Sequence, residues 1–149
     1  MRILLSIGAW WAAAAITFVV AAGFITLRII ADQAAVGADY GSADWLQAYW
    51  MNLSGLAPLY GVVVAVALAI GFLVAAVLKR VLRPLAPIAY PLAGAAAVVA
   101  LIWIVNNYAA PPGVGGAIPG ARSPLELALQ AVAGAIGGIA FEYFRPKAR

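Results

Sequence analysis

Five carboxylates supply all the acidic chemistry in this chain: Asp32, Asp39, Asp44, Glu126 and Glu142. There is no histidine and no cysteine, so imidazole catalysis, thiol chemistry, disulfides and metal sites built on either residue are excluded. Asp32, Asp39 and Asp44 share one connecting segment but lack the dense alternation of oxygen ligands that makes a calcium loop. No paired carboxylates, HExxH, DxxD or Ser–Lys pair occurs at a spacing that would hold a substrate between two groups. The run GVGGAIPG is glycine-rich, yet no strand pattern precedes it and neither GK[ST] nor GxGxxG is completed. The sequence therefore assigns no catalytic residue, metal or cofactor, and a non-enzymatic role is expected.

One spacing does suggest a path for solutes. Glu126, Gln130, Gly134, Gly138 and Glu142 recur every fourth residue. At about 100° per residue such a stripe drifts slowly around a helix, so Glu126, Gln130, Gly134 and Gly137 lie together, with Gly138 at the edge. Leu125, Leu129, Val132, Ile136, Ile139 and Tyr143 fall on the opposite side, while Leu127 and Phe141 intrude on the small face. Both carboxylates sit at the ends of the stripe, which leaves Gln130 as its one internal polar group. An unpaired amide in an apolar medium costs a few kcal/mol, so Gln130 must bond another helix or line a cavity with Glu126 at its mouth.

The elements that hold these residues belong to a membrane. Hydrophobic residues make up 66% of the 149 and charged residues only 9%, where a soluble domain carries about 25% charged. Mean hydropathy is +1.03. Four apolar segments approach or exceed the roughly 20 residues that cross a bilayer, at about 3–27, 56–78, 88–105 and 124–144. The first is too long for a signal-peptide core and reads as an uncleaved helix. Prolines 84, 87 and 91 cluster at the entry of the third, and Asn106 and Asn107 are expected to end it. Ser123-Pro124-Leu125-Glu126 forms a capping box at the start of the fourth. Arg2, Lys79, Arg80, Arg83, Arg145, Lys147 and Arg149 flank one side, against Arg28 and Arg122 on the other. The positive-inside rule then places both termini in the cytoplasm, giving an all-α, up-down-up-down four-helix transmembrane bundle in one domain, 1–149.

Other features refine that expectation. Within the first outer connection, about 43–53 reads as a short helix capped by Ser42, with Trp45, Leu46, Tyr49, Trp50 and Leu53 on one side. Such a helix suits the outer interface, with Trp45, Tyr49 and Trp50 as its aromatic anchors. The net charge of +4 is concentrated at membrane edges, where Lys79, Arg80, Arg83, Arg145 and Lys147 suit lipid headgroups and not nucleic acid. Seven of the nine basic residues are Arg, and Ala, Gly and Val are abundant, which hints at a GC-rich bacterial genome and hence a bacterial inner membrane.

Small residues recur beyond the fourth segment: Gly61, Ala65 and Ala69 in the second, Ala93 and Ala97 beside Gly94 in the third. In lipid, association rests on close packing, which small faces permit. The small multidrug transporters also have four spans, but they work through an acid in the first helix, and the segment 3–27 has none. The leading expectation is a non-enzymatic accessory or assembly subunit, packed laterally in the bilayer against a larger complex or itself. The alternative is a small transporter or channel, with Gln130, Glu126, Asn106 and Asn107 lining an outward cavity.

Overall fold

The computed structural model describes residues 2–81, 84, 87–109 and 123–146. Arg83, Lys147 and the Gly/Pro-rich segment 110–122 lie outside them. Every regular element described is helical: α1 (Arg2–Ala35), α2 (Ser42–Leu56), α3 (Val62–Val81), α4 (Ala89–Ile104) and α5 (Pro124–Phe144). Together they include four helical stretches long and apolar enough to cross a membrane, which suits a multi-pass membrane protein.

Two helices run longer than hydropathy alone indicates. α1 continues past residue 27 to Ala35, carrying Arg28 and Asp32 on its last turns, where an i,i+4 ion pair joins them at 3.2 Å. The second apolar segment does not begin at 56. A five-residue π turn, Ala57–Gly61, joins α2 to α3, so helix runs unbroken from Ser42 to Val81. Pro58 is the reason for the change of register. It has no N–H to give and its ring crowds the preceding turn, and a locally wider turn accommodates both defects without ending the helix. A second π turn, Val105–Ala109, extends α4. Asn106 and Asn107 therefore do not stop that helix; the Asn107 amide donates to the Trp103 carbonyl one turn back, at 2.7 Å.

The N-cap of α2 also differs from expectation. Gly41, in extended conformation, occupies it, and Ser42 is the first helical residue. Asp44 reaches back to accept from the Gly41 N–H at 3.0 Å, placing its charge on the positive end of the helix. At α5 the capping box forms: Glu126 N–H donates to Ser123 Oγ, and Ser123 N–H donates to Glu126 Oε2, both at 3.2 Å.

α5 packs on α4 and α1, and α4 packs on α3. The closest approaches are made by glycine. A Cβ on Gly94 would lie 2.1 Å from the Gly134 carbonyl oxygen, and one on Gly138 would lie 2.2 Å from that of Tyr90. Gly137 meets α1, where Ala13 and Thr17 occupy the space a side chain would need. α1 and α3, by contrast, meet through long side chains. Trp10 reaches over to donate its indole N–H to the Ala65 carbonyl at 3.0 Å, and the Phe18 ring covers Gly61. The core is filled by Ile25 of α1, Val64, Leu68 and Phe72 of α3 and Val98 and Ile102 of α4, with Ala133 from α5.

Candidate functional site

Gln130 is completely buried on the inner face of α5. Its amide is bonded on both sides: the Tyr60 hydroxyl donates to Oε1 at 3.0 Å, and Nε2 donates to the Ala21 carbonyl at 3.3 Å. The amide thus ties α5 to the π turn before α3 and to α1. Pro58 and the π turn set the register of Tyr60, whose own ring is buried near Phe18. Bonds of this kind in lipid are worth under about 2 kcal/mol each, but leaving the amide unmet would cost more.

One turn nearer the end of α5, Glu126 is 6% exposed and accepts from Arg28 Nε at 3.0 Å. Arg28 also holds Asp32, so one guanidinium on α1 serves two carboxylates, one buried and one exposed. Between these polar groups, Thr26 donates to the Ala22 carbonyl and accepts from the Asn52 amide of α2. Tyr49, stacked on Trp45, lies against Gly23 and donates to the Val19 carbonyl at 3.0 Å. Trp50 points away and is 68% exposed. α2 is therefore fixed to α1 by one face, and the five residues read as one side divide between contact and exposure.

At the opposite end of the bundle, Glu142 of α5 joins Lys79 of α3, at 3.0 Å, and Arg145, whose Nε and Nη2 fork onto both carboxylate oxygens at 3.0 Å. The Tyr90 ring lies under both cations, 4.6 Å from Lys79 Nζ and 5.0 Å from the Arg145 guanidinium carbon. Arg80 is exposed.

Among the described residues, two hollows bear on function. The larger, about 580 Å³, is an apolar groove between α3 and α4, running from Val63 and Ile104 to Lys79 and Ala89. Ala67, Gly71, Ala93 and Ala97 give it small walls; Gly71 lies against Ala97 and the Ala93 carbonyl, too close for a Cβ. The smaller, about 460 Å³, opens between α1 and α3 near Arg145. Neither of these two is lined by Gln130, Glu126, Asn106 or Asn107. Gly134, Gly137 and Gly138 are likewise covered by this chain's own helices, as is Ala65; Gly61 and Ala69 are half-buried.

Sequence reasoning missed Tyr60, Trp10, Tyr90 and the role of Arg28. Tyr60 was visible as a polar residue in a span, but nothing local links it to a partner 70 positions away. Among the described residues no three carboxylates gather as a metal site. Comparison with known protein families, with characterised proteins and with solved structures gives no match.

Proposed function

We propose that this chain is a non-catalytic membrane subunit that works by lateral packing, with an apolar helix of another subunit laid along the groove between α3 and α4. The groove is the observation that supports this reading. From Val63 to Lys79 it follows about 24 Å of helical rise, most of the roughly 30 Å hydrocarbon core of a bilayer. Its small walls repeat the pattern by which α4 and α5 approach inside the chain, where glycine lets backbones touch. Its rims are large and exposed, with Ile70, Val74 and Leu92 each more than half accessible. Ridges of big side chains from a third helix fit such a furrow.

In this reading the chain sits in a bacterial inner membrane with both termini cytoplasmic. Lys79, Arg80 and Arg145 meet the inner headgroups, and α2 with Trp45, Tyr49 and Trp50 lies at the outer surface. A polar transport cavity has no comparable support, because Gln130 is fully covered and bonded on both sides.

Purification from native membranes in mild detergent tests the proposal. Wild type should carry a stoichiometric partner or form a defined homo-oligomer. Ala96→Trp, at an exposed position lining the groove, should release it while the chain stays folded. A wild-type chain that purifies as a solitary monomer contradicts the proposal, as does an association that Ala96→Trp leaves intact.

A further inference from the structure

The smaller hollow differs in kind from the groove. Its walls are mostly apolar, with Ile3 and Ile7 from α1 and Leu73 from α3, and Ser6 and Trp10 also line it. Along α3 it extends from Ala76 to Ala69, about 10 Å of helical rise. Tyr90 and Arg145, however, also line it.

Tyr90 is 4% exposed, its ring fixed by Phe72 edge-on, Phe141 and the two cations. No hydrogen bond joins its hydroxyl to a described residue, and that hydroxyl is not one of the fully covered polar atoms, among which only Thr17 Oγ1 lacks a partner. Arg145 spends Nε and Nη2 on Glu142 and keeps the two N–H groups of Nη1. Lys79, Arg145 and Glu142 together leave one net positive charge there. An O–H donor, a guanidinium edge and a positive field form a receptor for an anionic oxygen. Behind it lies a slot only an apolar chain would fill. The ligand these features describe has an acidic head and a hydrocarbon tail.

We propose that the slot between α1 and α3 binds an acidic phospholipid of the surrounding leaflet. Its phosphate takes the Tyr90 hydroxyl and Arg145 Nη1, and one acyl chain passes between Ile7 and Leu73 toward Trp10. This does not depend on what occupies the α3–α4 groove; it requires only that the bundle stand in a bilayer.

Native mass spectrometry of the full chain, titrated with phosphatidylglycerol or phosphatidylcholine, tests the assignment. One phosphatidylglycerol should be retained in preference to phosphatidylcholine. Tyr90→Phe keeps the ring packing and removes only the donor, and should weaken retention about tenfold, as should Arg145→Gln. Gln47→Glu, on the exposed surface of α2 and away from the slot, lowers the net charge by one as Arg145→Gln does, and should change it by no more than about twofold. Inorganic phosphate should not displace the lipid. Equal retention of the two lipids overturns the proposal. So does wild-type retention by Tyr90→Phe, a loss in Gln47→Glu matching that in Arg145→Gln, or displacement by phosphate alone.

Discussion

Removing the Gln130 amide strands a buried phenol, and the consequence can be measured. Gln130→Leu fills similar space but leaves the Tyr60 hydroxyl without its acceptor. A loss of about 1–3 kcal/mol is expected, read as thermal or denaturant unfolding in detergent. Tyr60→Phe removes the donor and should cost less, because Gln130 Nε2 retains the Ala21 carbonyl. The pair should couple by about 1 kcal/mol in a double-mutant cycle, the double variant lying close to Gln130→Leu alone. Simple additivity would mean that the two side chains do not act as a pair. Arg28 and Glu126 obey the same logic with charge added. Arg28→Ala leaves a carboxylate that is 6% exposed without its guanidinium. Arg28 itself is partly open to solvent, which screens the pair, so the expected cost is about 1–3 kcal/mol and not the full penalty of a buried ion pair. Adding Glu126→Gln to Arg28→Ala should recover part of that loss. If the double variant is less stable than Arg28→Ala, the pairing account of Glu126 fails.

At the scale of the helix, glycine decides which surfaces can meet. Gly94→Ala would drive a methyl into the Gly134 carbonyl, and Gly138→Ala would do the same at Tyr90. Backbone cannot yield as a side-chain tip does, so each should cost at least about 3 kcal/mol or abolish folding. Gly8→Ala and Gly55→Ala meet nothing within 4 Å. In helical positions these should be neutral or stabilising by up to about 1 kcal/mol. Equal behaviour of all four in an expression and melting series would show that the α4–α5 crossing is not glycine-limited. Much of α5 was legible beforehand, because a 3.6-residue period sorts Gly134, Gly137 and Gly138 from Leu125, Val132 and Ile139 without any knowledge of neighbours. The partners were not legible. Periodicity tells which way a side chain points and not what it meets, and the contacts that matter join residues 55, 70 and 98 positions apart. The junctions misled for a different reason. Asn106 and Asn107 read as helix punctuation, yet both lie in a π turn that relaxes the register and lets the helix continue.

Across the whole molecule, the polar groups inside the bundle are largely turned toward one another, and what remains outward is shape. The α5 glycine seam, the most conspicuous candidate for contact with another subunit, is used within the chain. The open furrow instead lies between α3, whose last turn carries Lys79 and Arg80, and α4. That furrow was half-legible in the sequence. Ala93 and Ala97 marked one wall, but Ala67 and Gly71 join them only because α3 and α4 pack side by side. Because the chain has no cysteine, a single Ala96→Cys places a unique crosslinker in the groove, and Val132→Cys places one on the exposed side of α5. Crosslinking in intact native membranes is the most direct measurement. Ala96→Cys should yield one discrete adduct of defined mass, while Val132→Cys should yield none above background. No adduct from Ala96→Cys, or the same scatter of products from both positions, would contradict the groove as the working surface of this protein.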